Sequence, residues 1–285
     1  MSGGRERVRA TFWLLEAPDS LAQQSRREPD GTGLGVFDER GAPRVFKQPI
    51  AAYEDQAFAQ EAREVISTTF VAHVRYASTG AVSPANTHPF EQAGRLFAHN
   101  GVIGDIAALE RELGGAMALV RGDTDSERFF ALITRETERA GDVGQGIVRA
   151  TRWAAEQLPV FALNLVLIAD SELWALRYPD THELHVLARA PGGTSGRRHL
   201  EHASARGSVR VRSGELARRP AVIVATETMD EDPQWRALAP GQLLHVDREL
   251  RVNITTPLGR APAHPLSLAD LDPRAAASQR KPATA

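Results

Sequence analysis

Two hydrophobic periods alternate along the chain, one near 3.6 residues and one of two. From Ala10 to Gln24 the apolar positions Phe12, Trp13, Leu15 and Leu21 predict a short helix interrupted near Pro18. Asp30 to Phe37 (DGTGLGVF) reads as a glycine-rich turn feeding a strand, and Glu54 to Val65 reads as a helix. Strands are predicted at Phe70–Tyr76 and Arg95–Ala98, joined through the turn formers of Asn86–Pro89. Ile106–Leu113 predicts a helix stopped by Gly114-Gly115. Thr124 with Glu127 three residues later is a capping box, opening a helix through Phe129, Phe130, Leu132 and Ile133. A further helix covers Ile147–Leu158. Phe161, Leu163, Leu165 and Leu167 then alternate as a strand, and ELWALRY, PDTH and ELHVLAR read as a hairpin. Ala221–Thr226 and Gln242–Val246 supply more strand.

This order mixes helices and strands without the βαβ rhythm of a doubly wound sheet, so the expected class is mixed α/β. Residues 1–9 (MSGGRERVR) carry no periodic pattern and are expected to be disordered or a shortened N-terminus. One domain is expected over 10–258, with a flexible tail over 259–285. The Gly-, Arg- and Ser-rich stretch 190–219 is expected to be a long surface loop.

Composition narrows the function classes. The chain has 285 residues with 42% hydrophobic and 25% charged content, ordinary for a globular protein. A net charge of -2 gives no overall basic field for nucleic acid or an anionic membrane. The longest apolar run, Phe161–Ala169, is too short to span a bilayer, and no secretory signal is evident. A cytoplasmic location is the default expectation. Zero cysteines exclude disulfides and thiolate metal sites. The i,i+3 pairs His182/His185 and His199/His202 have no organised carboxylate partner and are read as surface histidines. No metal or other cofactor is expected.

The informative chemistry lies between His73 and Glu127. HVRYAST (His73–Thr79), NTHPF (Asn86–Phe90), FAHNGVIGD (Phe97–Asp105) and GDTDSE (Gly122–Glu127) occur there in order. Taken singly, each key residue has a plain reading. Arg75 suits an ion-paired strand arginine, Asn100-Gly101 a hairpin turn, and Asp125 a first-turn acid favouring the helix dipole. Taken in order, the series resembles the active-site frame of class II glutamine amidotransferases, the N-terminal-nucleophile type.

That resemblance implies a four-layer α/β/β/α sandwich and cleavage of the side-chain amide of glutamine or a related γ-glutamyl compound. It implies that Arg75 binds the substrate α-carboxylate, with Tyr76, Ser78 and Thr79 beside it, and that Asp125 pairs with the α-ammonium. It implies an oxyanion hole made by the Asn100 side-chain amide and the Gly101 N–H. Asn86 and His88 would shape a loop, and Asp30-Gly31 would start a strand beside the nucleophile. The partners implied are the γ-glutamyl small molecule and a separate ammonia-accepting enzyme.

The family's nucleophile is a cysteine exposed at the start of an apolar first strand. This sequence has no cysteine and begins Met-Ser-Gly-Gly. Three expectations stand side by side: an internal start with the strand lying upstream, a pseudoenzyme that binds without cleaving, or Ser2 acting as nucleophile.

Overall fold

The computed structural model describes residues 1–76, 81–191, 201–203, 210–212 and 219–279. After a π-helical turn at Phe12–Glu16 come α1 (Leu21–Gln24), β1 (Gly31–Phe37), β2 (Pro43–Gln48), α2 (Gln56–Glu64) and β3 (Phe70–Arg75). Next are β4 (Phe90–Gln92), β5 (Arg95–Ile103), α3 (Ile106–Leu113), α4 (Asp125–Ala140) and α5 (Val143–Gln157). β6 (Pro159–Ala169), β7 (Glu172–Leu176), β8 (His185–Arg189), β9 (Glu201–Ala203), β10 (Arg210–Arg212) and β11 (Ala221–Ala225) follow. The chain closes with β12 (Arg236–Ala237), β13 (Leu243–Val246), β14 (Val252–Thr255), β15 (His264–Pro265) and α6 (Pro273–Ser278).

A seven-stranded sheet runs β14-β13-β7-β6-β5-β4, with β15 on β6. Two three-stranded sheets, β2-β1-β3 and β11-β8-β12, make the second strand layer. Phe97, Phe129, Phe130, Leu132 and Leu163 fill one core between the large sheet and α3–α5. Val71, Leu96, Ala175, Val186 and Val222 fill a second core between the strand layers. Leu34, Val36, Phe58 and Phe70 pack β1 and β3 on α2. The result is the α/β/β/α sandwich that the resemblance implied.

Local chemistry sets the helix starts. Thr124 accepts from the Glu127 N–H at 3.2 Å, and the Glu127 carboxylate turns back to accept from the Gly122 N–H at 2.6 Å. Asp142 caps α5 by accepting from the Gln145 N–H at 2.7 Å, so this helix begins four residues before the apolar pattern indicated.

Three expectations are corrected. The first is the hairpin at 172–189, whose strands lie in different sheets: β7 pairs with β6 and β13, and β8 with β11 and β12. Asn164 holds the crossing by accepting from the Tyr178 N–H and donating to the His182 and Glu183 carbonyls. Second, residues 1–9 are built into the fold, with Ser2 fully buried and bridged to both Thr69 and Val222. Third, the chain after 258 continues through β15 and α6 with defined contacts as far as Gln279. Most of 190–219 lies outside the described residues, apart from the paired backbones of β9 and β10.

Candidate active site

β3 carries Arg75 at its end, β5 carries Asn100 and Gly101 at its middle, and α4 opens with Asp125. Arg75, Tyr76, Asn100, Gly101 and Asp125 all line one cavity of about 220 Å³. Ser78 and Thr79 lie outside the described residues.

Arg75 is only 5% exposed, yet it lines this cavity and donates to the Ala81 carbonyl at 3.3 Å. Burial works against its charge and nearby Asp30 supports it. Asp30 donates its N–H to the Arg75 carbonyl at 2.9 Å, and Gly31 stands opposite Arg75 across β1 and β3.

Asn100 and Gly101 pair with Asn164 and Leu163 of β6, so the hairpin-turn reading fails: they sit mid-strand. Gly101 has no room for a side chain, since a Cβ there would lie 1.9 Å from the Ala162 carbonyl oxygen. Asp125 is buried, and its Oδ2 accepts from the Ile103 N–H at 2.9 Å. It is therefore tied to the end of β5 as well as heading a helix.

Asn86 joins two loops at the rim. It accepts from the Asp123 N–H at 2.8 Å and donates to the Ala81 carbonyl at 3.1 Å. That is loop shaping, as expected of it.

Sequence reasoning gave no role to His73 or His99 and gave His88 only the shaping of a loop. His73 and His88 pack against each other at a tilt with ring centroids 4.3 Å apart, and both line the cavity with His99. Burial lowers the His73 pKa to about 4 and holds His88 well below its ordinary value. In His99, Nε2 faces the Ala162 carbonyl at 3.3 Å and must donate there. Nδ1 then accepts from the Ser126 hydroxyl at 2.9 Å, and Asp125 opposes the lowering that burial imposes. The alternation of FAHNG gave no signal for this, because it sends His99 to the strand face opposite Asn100. His182, read as a surface residue, is buried and bonds Gln279. Among the described residues no histidine–carboxylate group could hold a metal ion.

The cavity also runs the length of β3, from Phe70 to Tyr76, and along β11 from Ile223 to the following Glu227. β3 and β11 each end their sheet. At the far end Met1 and Ser2 lie between them. Ser2 exchanges hydrogen bonds with Val222 at 2.7 and 2.9 Å, and Met1 exchanges them with Phe70 at 2.8 and 2.9 Å. Burial there lowers the pKa of the Met1 amine to about 5. At the cavity wall, Glu28 is raised to about 7 by burial and by Glu227.

A family model described as class II glutamine amidotransferases matches residues 18–264. An uncharacterised protein of Methanocaldococcus jannaschii is 29% identical over 244 residues, covering 79% of this chain and 63% of that protein. This chain thus spans just under two thirds of that relative's length. A γ-glutamyl-hercynylcysteine sulfoxide hydrolase of Mycolicibacterium smegmatis is 27% identical over 256 residues, covering 86% and 92%. Glutamine phosphoribosylpyrophosphate amidotransferase from B. subtilis shares the fold, with a TM-score of 0.57 at 18% identity over 85% of this chain and 46% of that one. With most of its length matched by the family model, the chain belongs to the class II glutamine amidotransferases.

Proposed function

We propose that this protein provides the substrate pocket of an amidohydrolase acting on glutamine or a small γ-glutamyl amide. The observation that carries the reading is the convergence of Arg75, Asn100, Gly101 and Asp125 on one cavity. Arg75 offers a planar fork of donors for the α-carboxylate, and Asp125 a carboxylate for the α-ammonium. A nucleophile attacking the side-chain carbonyl carbon leaves negative charge on its oxygen. The Asn100 amide and Gly101 N–H receive that oxyanion, each such donor contributing about 3 kcal/mol. Loss of ammonia, or of the amine of a γ-glutamyl compound, leaves an acyl-enzyme that water hydrolyses. A separate enzyme would take up the ammonia.

The slot between β3 and β11 leads to Arg75 and is where a strand bearing a nucleophile would lie. Met1 pairs with Phe70, so each residue placed ahead of Met1 advances one position along β3. The fifth stands opposite Arg75 (75 − 70 = 5). Ser2 itself is level with Thr69, six positions from Arg75 and roughly 20 Å away at the rise of an extended strand. That separation weighs against Ser2 as the nucleophile.

The test is to extend the chain by an apolar five-residue strand whose first residue is an exposed cysteine, and to assay ammonia release from glutamine. Turnover is expected in the extended protein and none in the 285-residue chain. Glutamine binding by the extended protein without ammonia release would overturn hydrolysis in favour of a non-catalytic glutamine-binding role.

A further inference from the structure

The family match ends at His264, yet the chain beyond it returns to the site. β15 pairs parallel with the start of β6, and the Leu266 N–H donates to the Val160 carbonyl at 2.8 Å. Leu266 and Leu271 pack on Val102, Phe161 and Ala162. Ser267 and Asp270 close a capping box, and Asp272 caps α6 by accepting from the Arg274 and Ala275 N–H groups at 3.0 Å. Ala275 and Ala276 are buried beneath that helix.

The segment ends with Ser278 and Gln279 in the wall of the cavity that holds Arg75 and Asn100. Gln279 is 8% exposed, and its Oε1 accepts from His182 Nε2 at 2.8 Å. The His182 carbonyl receives Asn164 Nδ2 at 3.3 Å, and Asn164 pairs with Asn100 across β5 and β6. Arg274 lies 3.7 Å from Asp30, which in turn holds the Arg75 carbonyl. The two ends of α6 are thus fastened to Asp30, one step from Arg75, and to His182, two steps from Asn100.

We infer that residues 264–279 form a strap across the site, and that Gln279, latched on His182, is a specificity-determining residue restricting the substrate to small γ-glutamyl amides. Ser278 and Gln279 wall the cavity that holds Arg75 and Asn100, and the same cavity extends away from the strap along β3 and β11. An amide carrying a bulky amine must displace this wall, whereas glutamine need not. This inference rests on the amidohydrolase reading above, whose own failure shows in the ammonia assay with the strap intact.

The experiment compares the whole chain with Gln279→Ala, which removes the latch, and Ala276→Glu, which lifts the buried face of α6. Calorimetry with L-glutamine and with γ-glutamyl-p-nitroanilide gives the ratio of the two affinities. The ratio is expected to shift toward the nitroanilide by about tenfold or more in both variants, whereas general destabilisation would weaken both ligands together. A ratio unchanged in both variants overturns the inference. A readout independent of these ligands is the rate at which diethylpyrocarbonate modifies the cavity histidines His73 and His99. Severalfold faster modification in the variants supports the strap, and equal rates overturn it even where neither ligand binds.

Discussion

Arg75 and Gly101 show how differently two residues of one site depend on their surroundings. The Arg75 guanidinium is mostly buried at a cavity wall and supported by Asp30. Charge-assisted hydrogen bonds of this kind contribute about 1.5–3 kcal/mol each. Arg75→Ala is therefore expected to weaken glutamine binding at least about tenfold while leaving the circular dichroism spectrum unchanged. Retained affinity in that variant would remove Arg75 from the carboxylate role. Gly101 is governed by space, because an added Cβ meets the Ala162 carbonyl oxygen of β6 at 1.9 Å. Gly101→Ala should destabilise the protein by about 1–3 kcal/mol in urea denaturation, through displacement of β5 from β6. Asn100 and Gly101 are legible in the sequence only as a dipeptide, which suits a turn as well as a strand. The pairing of β5 with β6 decides between them.

At the scale of elements, the capping signals were readable because they are local. Thr124 meets the Glu127 N–H as the pattern required, so Thr124→Ala should cost about 1 kcal/mol of stability. Pairing between strands was not readable to the same degree. β7 and β8 are adjacent in sequence and carry the alternation of a hairpin, yet the crossing at Asn164 and Tyr178 sends them to different sheets. β3 and β11 present facing edges that, among the described residues, only Met1 to Gly3 engage, at one end. Unpaired backbone groups along those edges are costly. A five-residue strand joined ahead of Met1 should raise the melting temperature of the chain, and equal melting temperatures would remove the slot as a strand site.

At the scale of the whole molecule, the packing of two strand layers withdraws titratable groups from water and makes stability depend on pH. His73 has a folded pKa of about 4 against an ordinary 6.5, so the unfolded chain binds the extra proton between those values. Its contribution is fully present above pH 6.5 and is lost as pH falls toward 4. The Met1 amine acts in the same direction between about 8 and 5. Glu28, raised to about 7 from 4.5, acts oppositely: its contribution is present below 4.5 and lost as pH rises through 7. The melting temperature of His73→Gln should accordingly fall less between pH 6.5 and 4 than that of the parent, and parallel curves would sink this account. Over the same molecule, what the sequence alone determined was whatever depends on near neighbours: helix starts, strand alternation, and four short motifs whose order identified the family. Arg75, Asn100 and Asp125 could be named as candidates because each motif keeps its local spacing. Tertiary structure decided what depends on distant partners. It buried Ser2 between Thr69 and Val222, brought three histidines into the cavity, and set Gln279 against His182, 97 positions earlier. Nothing in MSGGRERVR or in the alanine- and proline-rich tail announces a buried role. Their places come from the edges and apolar surfaces that the rest of the fold leaves for them to cover.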